Sequence, residues 1–282
     1  MSSHSNQERV SGEGVRPRVQ QSVNTHFDAA ASYWDEVYQG QDLQGIIYQQ
    51  RQAAVLDYVD AAQLAPGAQV LEIGCGAGHL TVELARRGLH VDAIDASPGM
   101  VELAARQARE AGLDQHVSVS EADVHALPFA TSHFDVVVAV GVIPWLHSPD
   151  AAVAEMARVL SPGGSLILTA DNGARLLSFT DPRGMLALTP LRRMYHSLRG
   201  RPGEAVSYLH FPRRINRFVR EAGLQLRARR TIGFGPLTFL GRPLFSDAKA
   251  VRVHHRLQAL ADRGTPGLRF TGWHYLVRAT KA

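Results

Sequence analysis

Three glycines alternate in VLEIGCGAGHL, at positions 74, 76 and 78. Glycine at such positions lets a chain leave a strand, turn sharply and enter a helix, with bare backbone N–H groups turned toward a ligand. Several unrelated chemistries use loops of this kind, and spacing separates them. A dinucleotide loop, G-x-G-x-x-G, would need glycine at position 79, which is His79. A Walker-type phosphate loop would need Lys followed by Ser or Thr, and neither pair follows. The loop is G-x-G-x-G, with Glu72 two residues before its first glycine. Asp95 ends the next apolar run, about twenty residues on, where a carboxylate can accept from both hydroxyls of a ribose. Asp123, in EADVHALPF, follows a third such run and can accept from an adenine amino group. Together these residues point to an adenosine-containing ligand.

The elements that must hold these residues alternate along the chain. AQVLEIG reads as a short buried strand, HLTVELARRG as a helix closed by Gly88, and HVDAIDA as a second strand. The next helix starts with Ser97 as N-cap and Pro98 in its first turn, and it stops at Gly112. HVSVSEA, FDVVVAVG and SLILTAD read as strands three to five, with helix SPDAAVAEMARVL and the turn SPGG before the fifth. Later come helix PRRINRFVREAG, strand LQLRARRTI, helix SDAKAVRVHHRLQALADRG and a last strand WHYLVRATK. Seven strands alternating with helices give an α/β sheet. Two irregular insertions, about 172–212 and 233–270, follow strands five and six and read as a cap on one domain, 65–282, not as a second domain. Residues 25–64 read as lid helices, and 1–24 as a polar, disordered tail without the apolar core of a signal peptide.

Composition narrows the class further. Hydrophobic content of 45% with 20% charged residues is that of a water-soluble globular chain. The longest nearly unbroken apolar run, Phe134 to Leu146, is too short to span a bilayer. A single cysteine, Cys75, rules out an internal disulfide framework and fits the cytoplasm. It sits between two loop glycines, where a small side chain suffices, and reads as structural. Net charge is only +4, but nine Arg lie between Asn172 and Arg217 against Asp181 and Glu204. That local excess suits an anionic substrate, a membrane surface or RNA, and equally a solvated face.

The ordered set VLEIGCGAG, AIDAS, EADVHALPF, FDVVVAVGVI, RVLSPGGSLIL and REAGLQL resembles class I S-adenosylmethionine-dependent methyltransferases, especially their quinone-biosynthesis-like branch. The resemblance covers about Phe27 to Leu226. It implies a Rossmann-like seven-stranded sheet with the last strand antiparallel and S-adenosyl-L-methionine bound across the carboxyl ends of the strands. Carried over by position, Glu72, Gly74, Gly76 and Gly78 would lie at the methionine and ribose, and Gly141 at the methionine end. Asp95 would hold the ribose, with Ala96 and Met100 near adenine. Asp123 and the Val124 N–H would read adenine. In the lead-in FDAAASYWDEVYQGQDLQGIIYQQR, Tyr33 and Arg51 are candidate cofactor contacts, Arg51 for the methionine carboxylate.

A sulfonium methyl is already activated, so in-line placement is the enzyme's main task, worth on the order of 7–11 kcal/mol. His147, in VGVIPWLHSPD, is the candidate general base, although the family's loop histidine aligns with Trp145 instead. The same loop lacks the Asn or Asp that adenine amino-methyltransferases place before Pro and an aromatic residue, so a nucleic acid target is not expected. The scattered histidines lack metal-ligand spacing, so no metal is expected. Aromatic residues interleaved with Arg in the cap suit a small aromatic, quinone or polyketide-like acceptor methylated on oxygen, with peripheral membrane contact through the cap as a further option. A sugar, lipid or macromolecular acceptor, and a binding protein without transfer, stay open, as does the oligomeric state.

Overall fold

The computed structural model describes residues 23–25, 27, 34, 36–176, 178, 181 and 207–282. Tyr33, most of the 1–24 tail and most of the Arg-rich insertion, including Phe179, Met185, Met194, Tyr195 and His196, lie outside the described residues.

Residues Leu43–Asp60 form α1, N-capped by Asp42, whose carboxylate accepts from the Gly45 N–H at 2.8 Å. Then follow β1 (Gln69–Ile73), α2 (His79–Ala85), β2 (His90–Asp95), α3 (Pro98–Glu110), β3 (Val117–Glu121), β4 (Phe134–Ala139), α4 (Pro149–Val159) and β5 (Leu160–Asp171). The rest comprises α5 (Pro212–Glu221), β6 (Leu224–Ile232), a hairpin of β7 (Thr238–Phe239) and β8 (Arg242–Pro243), α6 (Asp247–Asp262) and β9 (His274–Lys281). Seven strands make one sheet in the order β3-β2-β1-β4-β5-β9-β6. All pairings are parallel except those of β9, which runs antiparallel to both β5 and β6.

The central strands are covered on both faces, which their unbroken apolar runs require. The period-2 alternation sorts them into two cores. Leu71, Ile73, Val137, Leu166, Leu168 and Tyr275 pack against α4 and α5, while Val70, Val136, Val138, Ile167 and Leu276 pack against α1 and α2. SPGG differs from the sequence reading: it is not a turn before β5 but part of it, an irregularity that shifts the register from Phe134↔Leu160 to Val136↔Ser165.

Strand order reverses between β1 and β4, which makes the crevice at their carboxyl ends the natural ligand position. The residues after β6 are pinned back onto α1 by a buried polar network. His254 Nδ1 accepts from the Phe234 N–H at 3.0 Å, and its Nε2 meets Gln50 Oε1 at 2.8 Å. Burial, aided by the neighbouring His255, pushes its pKa down to about 4, so the ring stays neutral and can play both parts. Gln258 accepts from the Gly233 N–H and donates to the Thr231 carbonyl. Among the described residues, no helix is long and apolar enough to cross a membrane.

Candidate active site

The first half of the glycine loop is tied to the end of β2. The Gly74 and Cys75 N–H groups donate to the Ile94 carbonyl at 2.7 and 3.1 Å, and the Gly76 N–H donates to Asp95 Oδ2 at 3.0 Å. All three glycines have positive φ: 70°, 52° and 85°. Their surroundings differ. A Cβ on Gly76 would meet nothing within 4 Å, so this backbone faces open space that a ligand can enter. A Cβ on Gly74 would run into the Val142 side chain, and one on Gly78 would stand 2.8 Å from the Ala104 backbone of α3.

The loop opens onto a cavity of about 200 Å³ at the carboxyl end of the sheet. At one end stand Asp95, Ala96, Met100, Asp123 and Val124. Asp95 Oδ1 also accepts from the Ser97 N–H at 3.0 Å, so both of its oxygens are held in place. Asp123 Oδ1 takes the His125 N–H at 2.9 Å and His125 Nδ1 at 2.7 Å. Burial opposes that carboxylate's charge, but the His125 hydrogen bonds and nearby His147 hold its pKa below the usual carboxylate range.

Beneath the loop lies Glu72, 3% exposed, its Oε2 accepting from the Thr81 hydroxyl at 2.6 Å. Burial pushes its pKa up to about 8; the Thr81 bond pulls it down and the Asp95 charge adds to the rise. Cys75 is buried beside them, and burial together with Glu72 and Asp95 raises its pKa well above the usual thiol value. A thiol kept protonated in this way is a poor nucleophile.

At the opposite end Arg51 enters from α1. It is 5% exposed, donates from Nη2 to the Tyr38 hydroxyl at 2.8 Å and lies 4.4 Å from the centre of the Tyr48 ring. Its buried Nε has no hydrogen-bond partner. Asp171, at the end of β5, lies across from it and pairs with His274 Nδ1 at 3.2 Å. Burial works against the Asp171 charge, yet His274, Arg51 and Arg175 hold its pKa below the ordinary range. The third side of the cavity is aromatic. Phe27 meets Trp145 edge-on at 5.1 Å and Trp34 at 5.8 Å, and Trp34 meets Tyr48 edge-on at 5.9 Å.

Carboxylates at one end, an arginine at the other and open glycine backbone between them fit a nucleoside joined to an amino acid. Comparison with known proteins agrees. Residues 71–168 match the family described as "Methyltransferase domain". The ubiquinone biosynthesis O-methyltransferase of Xanthomonas axonopodis pv. citri is 32% identical over 174 residues, which cover 61% of this chain and 68% of that protein. This chain is a class I S-adenosylmethionine-dependent methyltransferase. Two solved structures share its fold. Magnesium protoporphyrin IX methyltransferase from Synechocystis PCC 6803 has a TM-score of 0.65 at 19% identity, covering 94% of this chain and all of the other. The cyclase SpnF has a TM-score of 0.61 at 21% identity, covering 93% of this chain and 96% of the other. At such identities the likeness speaks for the fold alone.

The methyltransferase cavity is lined by Glu72, Gly74, Gly76, Asp95, Ala96, Met100, Asp123, Val124, Gly141 and Arg51 from the residues singled out in the sequence. Two others stand elsewhere. Gly78 is not in the lining: it lets α2 and α3 approach each other. Gly78→Ala should therefore destabilise the fold by about 2 kcal/mol, from overpacking against Ala104 and from the left-handed backbone; an unchanged urea midpoint would refute this. His147 is not in the lining either. Its ring lies 3.9 Å from that of His125, beyond the adjacent Trp145 and Leu146, which do line the cavity. Sequence reasoning missed Asp171 as a cavity residue, although its place after the apolar run of β5 mirrors that of Asp95 after β2. It also left open that Tyr38 and Tyr48 would embrace Arg51. That depends on how α1 lies across the sheet, which no local motif encodes.

Proposed function

We propose that this methyltransferase transfers the methyl group of S-adenosylmethionine to a hydroxyl oxygen of a small aromatic, quinone-like molecule. The aromatic wall of Phe27, Trp34 and Trp145 beside the glycine loop carries this reading. It offers a flat, apolar acceptor ring stacking surfaces. The name of the Xanthomonas relative, a ubiquinone biosynthesis O-methyltransferase, points the same way.

In this reading Asp95 holds the ribose hydroxyls, Asp123 and the Val124 N–H take the adenine edge, and Ala96 and Met100 pack on its face. Gly74, Gly76 and Gly141 leave room for the methionine portion, and the Arg51 guanidinium, which lines the cavity, receives its carboxylate. Gly141 suits that place, because a Cβ on it would stand 3.3 Å from Arg51 Nη1. Glu72 supports the loop from below. The cofactor supplies a methyl group already activated by its sulfonium, so the protein's part is to bind, orient and keep water out. A phenolic acceptor, with a pKa of about 10, needs little help in losing its proton.

That makes a dedicated base dispensable. His147→Ala should leave turnover within about 3-fold of wild type, since a general base is worth 10²- to 10⁴-fold; a drop of 100-fold in single-turnover rate would restore His147 as the base. The acceptor class is tested by incubating the protein with S-adenosylmethionine carrying a labelled methyl and a cell extract, then separating organic, aqueous and macromolecular fractions. Label in an organic-soluble compound supports the reading. Label in macromolecules replaces it with another acceptor class.

A further inference from the structure

The hairpin after β6 carries an unusual residue at its tip. Thr238 pairs with Pro243 and Phe239 with Arg242, leaving Leu240 and Gly241 as the turn. Both have positive φ, 49° and 80°. Such turns favour Gly, Asn or Asp, and a leucine there is strained. The strained leucine is also the most exposed large apolar residue of the hairpin, at 57%, with Phe239 at 51% and Leu244 at 49% beside it. Asp181 fixes the turn, its Oδ2 accepting from the Gly241 N–H at 2.9 Å and from the Thr238 hydroxyl at 2.7 Å, but those bonds leave the Leu240 side chain in water; an exposed apolar patch of this kind marks an interaction surface.

Charge says what the patch meets. Exposed Arg242 sits in the hairpin, and Lys249, Arg252 and Arg256 are exposed on α6 at spacings of three and four residues, which put them on one face. Lys249 lies 4.9 Å from the ring of Phe245, which joins this stripe to the hairpin. Asp247 is the only acidic residue from Leu237 to Leu260. No ion pair among the described residues engages these four cations. An apolar tip flanked by cations that no ion pair among the described residues engages complements an anionic bilayer, whose headgroups take the charge and whose acyl boundary takes the side chains.

The position adds a reason. β6 runs parallel to β5, so the hairpin leaves the sheet at the edge where Asp171 and the cavity lie. Gly235, at its base, packs on Leu43, the first residue of the helix that delivers Arg51. We propose that the Phe239–Leu244 hairpin and the Lys249, Arg252 and Arg256 stripe dock this enzyme on an anionic membrane surface. The proposal goes beyond the acceptor reading and does not depend on it.

The test is co-sedimentation of the full-length protein with vesicles of phosphatidylglycerol and phosphatidylcholine in equal parts, and of phosphatidylcholine alone. Binding should require the anionic lipid and weaken as salt rises. Lys249→Ala/Arg252→Ala/Arg256→Ala should lower partitioning on the order of 100-fold. Phe239→Ser/Leu240→Gly should lower it by about 10-fold or more. The second variant relieves the strained turn, so its melting temperature should hold or rise, and cofactor affinity should stay that of wild type in both. No binding of wild type to anionic vesicles, or equal binding of wild type and both variants, would overturn the proposal. So would light scattering that shows a wild-type dimer turned monomeric by Phe239→Ser/Leu240→Gly, since the patch would then serve a second copy of the chain.

Discussion

Asp95→Ala should weaken S-adenosylmethionine binding by on the order of 100-fold or more, the largest loss expected from any single change at this site. Two effects add. The carboxylate would lose the two ribose hydroxyls, each unpaired group costing roughly 1–3 kcal/mol. It also holds the glycine loop, through the Gly76 and Ser97 N–H groups at 3.0 Å each. Titration calorimetry measures the affinity, and Asp95→Asn separates the two effects. The amide keeps one acceptor oxygen for the loop or the ribose but loses the charge, so an intermediate loss is expected. Affinity within 3-fold of wild type in the alanine variant would remove Asp95 from the cofactor site.

The second large effect concerns pH and stability, through Glu72. In the unfolded chain its carboxyl ionises near 4.5, whereas in the fold burial keeps the proton on until about pH 8. Between those values the folded state binds more protons than the unfolded one, so stability falls as pH rises through the window. The full penalty, reached above pH 8, is on the order of 5 kcal/mol. Glu72→Gln has nearly the same shape and can still accept from the Thr81 hydroxyl, but it cannot ionise. Urea denaturation without ligand should show the variant gaining about 4 kcal/mol of that amount over wild type between pH 5 and pH 8.5. A difference constant across the range would mean that Glu72 is ionised in the fold, and the protonated carboxyl under the glycine loop would be abandoned.

Short-range patterns reached the secondary structure and most of the singled-out residues that line the cavity. The Ser97 hydroxyl accepts from the Met100 N–H at 3.2 Å, as an N-cap signal before Pro98 requires. The glycine spacing, read against His79, excluded dinucleotide and Walker-type loops, and Asp95 and Asp123 stand at one end of a single cavity because each ends or follows a strand at the same sheet edge. The antiparallel β9 was reached through family resemblance, since a strand's own residues carry no mark of its direction.

Only the tertiary structure decided which loop glycine borders open space. Gly76 and Gly78 look equivalent in the sequence, yet one borders open space and the other abuts α3. Likewise the distance of His147 from the cavity depends on how the loop after β4 turns, which its own residues do not reveal. The union of Arg51 with Tyr38, Tyr48 and Asp171 joins segments more than a hundred residues apart. Local sequence determines what a residue can do through its backbone and its immediate neighbours. Which side chains share a cavity, and which groups burial strips of water, is set by packing among elements distant in the chain.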